Sequence, residues 1–348
     1  MRRLMLDWYD RHRRVLPWRP PAGQTADAYH VWLSEIMLQQ TTVATVGPYF
    51  HKFCNRWPTV NHLAAADLDE ILHGWQGLGY YARARNMHRC AKIVSEDLNG
   101  YFPNNERELR NLPGIGAYTS AAISAIAFGK PANVVDSNVE RVMARFYAIE
   151  EPLPSCKDSL RALSAKIAPR TVRGRPGDFA QAVMDLGATV CMSKSPKCGS
   201  CPWQRGCAAH KADIQKELPR RVVKAAKPVR RGVAFWVIRD DGSILLRRRP
   251  DKGLLGGMIE VPSTDWLERE WTSANAKKTA PIKANWTLLP GIVRHTFTHF
   301  YLEISILAAR VGDEENPKNA IWVTPDRLDK HALPTVMKKI VGLALKTV

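Results

Sequence analysis

A chain of 348 residues is long for a single hydrophobic core and comfortable for two. Its 51 Lys and Arg against 33 Asp and Glu leave a formal charge of +18, which favours a polyanionic partner through steering and release of counterions. No apolar run reaches the roughly 20 residues of a membrane span, and the N-terminal stretch lacks the apolar segment of a signal peptide, so a soluble, intracellular protein is expected. Four of the seven cysteines fall between Cys191 and Cys207, a clustering that suggests a metal site rather than a disulfide framework.

From Ala28 to about Ala209 apolar positions recur at spacings of three and four, with stops at Arg56-Trp57-Pro58 and Gly100-Tyr101-Phe102-Pro103. Short helices separated by tight loops are predicted. In the first, Trp32, Leu33, Ile36 and Met37 form one stripe that Val43 continues beyond the next turn, and Glu35 lies among them. A glutamate on a helix is ordinarily a solvated residue. Leu112-Pro113-Gly114-Ile115-Gly116 precedes an apolar helix, so a tight turn and a helix amino end together offer backbone N–H groups to an anion. Twenty residues after Gly116, Asp136 stands in Val134-Val135-Asp136-Ser137-Asn138-Val139 at the position of a helix N-cap.

Cys191, Cys198, Cys201 and Cys207 give the spacing C-x6-C-x2-C-x5-C. Four thiolates close equally around zinc or a [4Fe–4S] cluster, and spacing alone does not separate the two. Cys54, Cys90 and Cys156 lie singly in helical stretches and read as small buried hydrophobes. Between Lys211 and Arg231 stand eight Lys or Arg, one Asp, one Glu and two prolines, the composition of a charged linker that could also lie along phosphates. After Gly232 the period shortens. Residues 233–238 and 243–246 around Asp240-Asp241-Gly242 predict a hairpin, residues 300–307 another strand, and residues 334–345 a closing helix. The second half is therefore α+β.

The cysteine spacing at the end of an all-helical region resembles the iron–sulfur loop of the endonuclease III superfamily of DNA glycosylases. The glycine turn before Tyr118 resembles that superfamily's helix-hairpin-helix motif, and Asp136 matches its aspartate. The resemblance implies a [4Fe–4S] cluster on Cys191, Cys198, Cys201 and Cys207. Its role would be largely structural, shaping a basic loop with Lys194, Lys197 and Arg205. It also implies a backbone-phosphate contact at Gly114 and Gly116. Asp136 would stabilise positive charge at C1′, and Asn138 would place that carboxylate. Strand-cleaving members carry a lysine where this chain has Tyr118, which implies a monofunctional enzyme.

Ser34-Glu35-Ile36-Met37-Leu38-Gln39-Gln40-Thr41 resembles the signature of MutY-type adenine DNA glycosylases, in which the glutamate is the general acid. Adenine leaves poorly until N7 is protonated. Glu35 would therefore carry a proton while Asp136 stays anionic. Leu16-Pro17-Trp18-Arg19 resembles the segment near the catalytic centre and the DNA, and Gln39 and Gln40 match residues acting in the opened duplex. The stretch from Gln76 to Arg85 resembles a loop that wedges into DNA, with Leu78 and Tyr80 as wedge and stack.

The same resemblance divides the chain into a helix-hairpin-helix glycosylase domain at 1–215, a basic linker at 216–231 and a Nudix-like domain at 232–348. Leu254 to Pro262 matches the last domain's glycine-bearing turn, with Met258-Ile259 in place of a commoner Leu-Trp pair. The Nudix hydrolase carboxylates are missing, since Trp271-Thr272-Ser273 follows Arg269-Glu270. Phe297, Thr298 and His299 match an aromatic–hydroxyl–histidine triplet that reads 8-oxoguanine. The expected partner is double-stranded DNA with A:8-oxoguanine or A:G mispairs, bound by a monomer associated with the nucleoid. Two alternatives share parts of the pattern: a superfamily sibling acting on thymine or oxidised pyrimidine, and a zinc-bearing DNA-binding protein without catalysis.

Overall fold

A computed structural model of the chain describes residues 1–222 and 225–347; Val223 and Lys224 of the expected linker, and Val348, lie outside the described residues. Two compact units are present. One comprises Met1–Ala65 and Asn86–Lys224, the other Ala66–Arg85 and Ala225–Val348. Among the described residues no helix is long and apolar enough to cross a membrane.

The first unit is helical. Its principal helices are α1 (Arg2–His12), α2 (Ala28–Leu38), α3 (Val43–Arg56), α4 (Ala117–Ile126), α5 (Ser137–Phe146), α6 (Lys157–Ile167) and α7 (Pro176–Thr189). The Asp27 carboxylate caps α2 by accepting the His30 N–H at 2.9 Å. Sequence periodicity suggests a single apolar stripe on α2. The structure instead buries eight of its eleven residues, Ser34 and Glu35 included, so α2 runs through the core rather than over it. The sequence reading has no helix before Ala28, yet α1 buries Met5, Trp8 and Tyr9 in one cluster with Val139, Met143, Phe179 and Leu186 of α5 and α7. A Cβ on Gly187 of α7 would stand 2.6 Å from the Cβ of Asn138, so only glycine lets these helices approach so closely.

The second unit is built on one mixed sheet. Its strands are β1 (Val229–Arg239), β2 (Ile244–Arg248), β3 (Ile259–Glu260), β4 (Thr287–Leu288), β5 (Val293–Thr296), β6 (Tyr301–Val311) and β7 (Ala320–Val323). They are ordered β3-β2-β1-β6-β4, with β5 also on β6 and β7 also on β2. The expected hairpin is β1–β2, antiparallel with Ile238 opposite Ile244. β1 and β6 pair in parallel from Val229–Tyr301 to Arg239–Val311. A strand so placed is covered on both faces. Ala234 and Trp236 pack with Ile304 and Ile306 under the closing helix α8 (Thr335–Thr347), while Val233 and Phe235 pack with Trp271, Ala276 and Trp286 on the other side. Trp271, which interrupts the Nudix carboxylate pattern, is thus part of a hydrophobic layer.

Residues 66–85 fall with the second unit, although the sequence reading sets the whole of 1–215 in one helical domain. The reason is a set of polar contacts of long sequence separation. Arg248 grips Asp69 with two hydrogen bonds of 2.9 and 2.6 Å, Arg85 donates to the carbonyls of Gly256 and Asp251, and Gln76 donates to the His331 carbonyl at 3.1 Å. Lys338 on α8 donates to the Gln76 side-chain carbonyl at 2.7 Å. Helical periodicity carries no trace of such contacts.

Ile304 is fully buried at the centre of the sheet. Ile304→Ala should lower the unfolding free energy by about 3 kcal/mol, measured by denaturant titration of the second unit's signal.

Candidate active site

A cavity of about 880 Å³ opens among α2, α4, α5, α7 and the segment after α1, and Arg19, Glu35, Gln39, Tyr118, Asp136 and Asn138 all line it. The sequence reading draws these residues from four separate motifs. One wall collects them.

Glu35 lines this cavity yet is only 6% exposed, on a helix with eight of its eleven residues buried. Burial raises its pKa from 4.5 to about 7; a hydrogen bond with Tyr118 opposes the rise, the Asp136 charge adds to it, and Arg19 opposes it. The one Tyr118 hydroxyl proton can alternatively go to Met184 Sδ at 3.4 Å, and burial with the two carboxylates pushes the hydroxyl's own pKa well up. Tyr118 therefore acts here as a neutral hydrogen-bonding group.

Asp136 caps α5, as its position in the sequence suggests, and the cap and the cavity-facing carboxylate are the same group. One oxygen accepts the Val139 N–H at 2.7 Å and the other accepts the Asn138 side-chain amide at 2.8 Å. Burial raises its pKa, while these hydrogen bonds and Arg141 pull the other way in favour of the anion. Asn138 is held in turn, since its carbonyl oxygen accepts from Arg141 at 2.9 Å. Arg141 also donates to the carbonyls of Gly187 at 2.7 Å and Cys191 at 2.8 Å. A line of hydrogen bonds thus joins Asp136 to the first cysteine of the cluster.

The Arg19 guanidinium, expected near a DNA strand, is buried and bidentate on Asp185 of α7, at 2.6 and 3.0 Å. The Arg14 backbone N–H donates to the same carboxylate at 3.1 Å. Asp185 is fully buried, and sequence reasoning missed it. A carboxylate in the apolar run Ala182-Val183-Met184-Asp185-Leu186 was the available signal. Gln181, one turn earlier on α7, lines the same cavity and was missed with it.

Gln39 ends α2 and donates to Thr119 at 3.4 Å, and Gln40 follows in a left-handed conformation with φ 58°. Gly114 has φ 79°, and a Cβ there would stand 3.0 Å from the Cβ of Asn86, so this turn needs glycine. Gly116, at the amino end of α4, has open space where a Cβ would point.

Cys191, Cys198, Cys201 and Cys207 line one small cavity with Arg145 and His210, which fits a four-thiolate donor set. Among the described residues no group of three or more His, Cys, Asp or Glu stands in ready-made metal geometry. Arg145, 2% exposed, donates to the carbonyls of Cys191, Met192, Ser193 and Leu218 and to Cys191 Sγ. It is the internal scaffold of the loop, and sequence reasoning missed it as well. Lys194, Lys197 and Arg205 are exposed.

In the second unit, Phe297, Thr298, His299 and Phe300 form the tight turn between β5 and β6, closed by the Phe297 N–H on the Phe300 carbonyl at 2.9 Å. Thr298 and His299 are exposed at its tip, whereas Phe297 turns inward against Phe300 and Trp266. A cavity of about 250 Å³ lies beside the turn, bounded by Leu78 and Tyr80 among others. Tyr80 is 46% exposed, has φ 48°, and its hydroxyl meets the Thr298 hydroxyl at 2.5 Å. Leu78, expected as a wedge, is 5% exposed: the glycines at 77 and 79, both at positive φ, turn Tyr80 outward and Leu78 in.

A carboxyl whose pKa is raised by folding stabilises the native state below its unfolded value and loses that contribution as pH rises through the folded one. For Glu35 that window runs from 4.5 to about 7. Between pH 5 and 8 the chain should therefore lose on the order of 2 kcal/mol of stability relative to Glu35→Gln. Paired unfolding curves at the two pH values measure it, and a constant gap would contradict it.

Residues 33–169 match the family model described as HhH-GPD superfamily base excision DNA repair protein, and residues 233–343 match the NUDIX domain model. The adenine DNA glycosylase of Homo sapiens is 35% identical over 97% of this chain and 72% of its own length. That of Buchnera aphidicola subsp. Baizongia pistaciae (strain Bp) is 32% identical over 97% and 94%. Among solved structures, a thermostable thymine-DNA glycosylase is 29% identical with a TM-score of 0.53, covering 61% of this chain and 95% of that one. An endonuclease III–DNA complex, 24% identical with a TM-score of 0.51 over 62% and 95%, shares the fold. The helical unit with its carboxylate-lined cavity, the Nudix-like sheet and relatives spanning nearly the whole length agree: this chain belongs to the adenine DNA glycosylase family.

Proposed function

We propose that the protein hydrolyses the N-glycosidic bond of adenine paired with 8-oxoguanine or guanine in double-stranded DNA, as a monofunctional base excision repair enzyme. One observation carries this reading above the others. A buried carboxyl with a pKa of about 7 and a carboxylate tied by two hydrogen bonds line the same cavity.

Glu35 carries the proton and delivers it to N7 of the extruded adenine, which turns the base into a competent leaving group. Asp136 faces the sugar as an anion and stabilises the positive charge that develops at C1′. Once Glu35 is ionised it orients the water that adds to C1′, and that water's proton returns to it. Tyr118 holds Glu35 by its hydroxyl and supplies no amine, so no Schiff base forms and the strand stays intact. Asn138 and Arg141 act through Asp136 by fixing its direction. Arg19, paired with Asp185, moderates the Glu35 pKa and closes the wall beside the base.

Gly114 and Gly116 would take backbone phosphates on the hairpin and the amino end of α4. Gln39 and Gln40 would act in the opened duplex, and Tyr80 would stack where the pair is parted. Cys191, Cys198, Cys201 and Cys207 would hold a [4Fe–4S] cluster, which when bound supplies structural cross-linking of the basic loop. Thr298 and His299 would meet the oxidised base, the hydroxyl serving its altered N7–H edge. The division into a glycosylase domain at 1–215, a linker at 216–231 and a recognition domain at 232–348 belongs to the same proposal, as does a monomer working at the nucleoid. A thymine-directed sibling is disfavoured by the Nudix-like unit and by an acid suited to protonating a purine.

The test is single-turnover excision from duplexes with A opposite 8-oxoguanine, G or T, with and without hot alkali. Strand breaks should appear only after alkali, fastest for the first duplex, and Glu35→Gln should abolish them. The rate should fall tenfold per pH unit above about 7, as Glu35 loses its proton. It should fall again in acid as Asp136 gains one, at a pH above the ordinary aspartate value. A pH-independent rate, or breaks without alkali, would contradict the mechanism.

A further inference from the structure

The Thr298–His299 tip is a two-residue turn on a narrow hairpin, and such a tip is only as well placed as what lies under it. Beneath it is a column of rings. Phe297 and Phe300 stack on each other with centroids 4.8 Å apart and planes at 27°. Trp266 lies against Phe297 at 5.7 Å, the Arg249 guanidinium covers Trp266 at 5.3 Å, and the Arg230 guanidinium covers Phe300 at 4.6 Å. Arg249 is itself held by the buried Glu260 carboxylate. Cations on both ends and aromatic faces between them form a continuous stack.

Trp266 is the member whose place the backbone specifies most closely. Its segment is pinned along β1 on both sides: Thr264 exchanges with Val233 and Leu267 with Arg231. Between those two residues is Gly232, where a Cβ would stand 2.6 Å from Trp266 Cδ1. A glycine inside a central strand weakens it, and close approach of another group is the compensating reason for one. Among the described residues the buried indole N–H has no hydrogen-bond partner, so packing orients the ring. Neither Trp266 nor Gly232 lines the cavity beside the tip.

We infer that Trp266, seated in the space left by Gly232, is a positioning residue for the Thr298–His299 tip and sets how strongly the protein prefers 8-oxoguanine over guanine opposite adenine. Its role rests on the reading that the tip meets the oxidised base. The indole fixes Phe297, and Phe297 begins the turn that aims the Thr298 hydroxyl. With the column loosened the tip samples several positions. A contact that depends on one hydroxyl then weakens, while the chemistry in the first unit, built from other residues, proceeds.

The test is single-turnover excision from A:8-oxoguanine and A:G duplexes by the full-length protein and by Trp266→Ala, Trp266→Phe, Gly232→Ala, Thr298→Ala and the Trp266→Ala/Thr298→Ala double variant. Thr298→Ala should reduce the ratio of the two rates at least fivefold. Trp266→Ala and Gly232→Ala should reduce it by a similar factor with the A:G rate within twofold of the parent, Trp266→Phe should restore most of it, and the double variant should add little. If Trp266→Ala does not fold, Gly232→Ala, which displaces the ring without removing it, carries the same comparison. An unchanged ratio in folded Trp266→Ala or Gly232→Ala, or independent effects in the double variant, overturns the inference and leaves the tip's role standing. An unchanged ratio in Thr298→Ala removes the tip's role and the inference with it.

Discussion

Enclosure of α2 is the constraint on which the rest of the site depends. A helix with eight of its eleven residues buried leaves Glu35 little contact with solvent, so the carboxyl is held where its charge is costly and its pKa rises to about 7. Had α2 lain on the surface with the single stripe its sequence suggests, Glu35 would be an ordinary ionised residue and no proton would be available near neutrality. Packing therefore sets the chemistry. Trp32, Leu33, Ile36 and Met37 fill the core, and the residue they carry with them becomes an acid.

Burial raises the pKa of the second carboxylate too, but there several donors oppose it. Asp136 is also shielded, yet it receives a backbone N–H, a side-chain amide and the field of Arg141, all of which favour its anion. Its support continues through Asn138 and Arg141 to the carbonyls of Gly187 and Cys191, so the cysteine loop is coupled to the cavity wall by hydrogen bonds rather than by proximity alone. Gly187 matters here because a side chain would push on Asn138 directly. In the second unit a separate device solves a similar problem, since an aromatic column steadies a short exposed turn.

Much of this was legible in the sequence where a local pattern and a chemical type coincide. The cap position of Asp136, the glycine turn at Gly114, the cysteine spacing and the β1–β2 hairpin are short-range features, and each is found where the residues suggest. What escaped is long-range. The pairing of Arg19 with Asp185 joins residues 166 positions apart, and Arg145 reaches the cysteine loop across more than 40. The grouping of residues 66–85 with the sheet depends on Asp69, Gln76 and Arg85 finding partners beyond residue 247. Leu78 and Phe297 show a second kind of limit: a motif identifies a loop, but the φ signs at Gly77, Gly79 and Tyr80 decide that Leu78 turns in, and the rings of Trp266 and Phe300 decide that Phe297 does.

The most direct measurement of the central claim is the titration of Glu35 itself, followed by carbon-13 NMR of protein labelled at glutamate side-chain carboxyls, with Glu35→Gln for assignment. One carboxyl should titrate close to pH 7 and be missing from the variant, while solvent-exposed glutamates titrate near their ordinary value. If the resonance lost in Glu35→Gln instead titrates below pH 5, the carboxyl is ionised in the resting protein, and enclosure of α2 does not make it an acid.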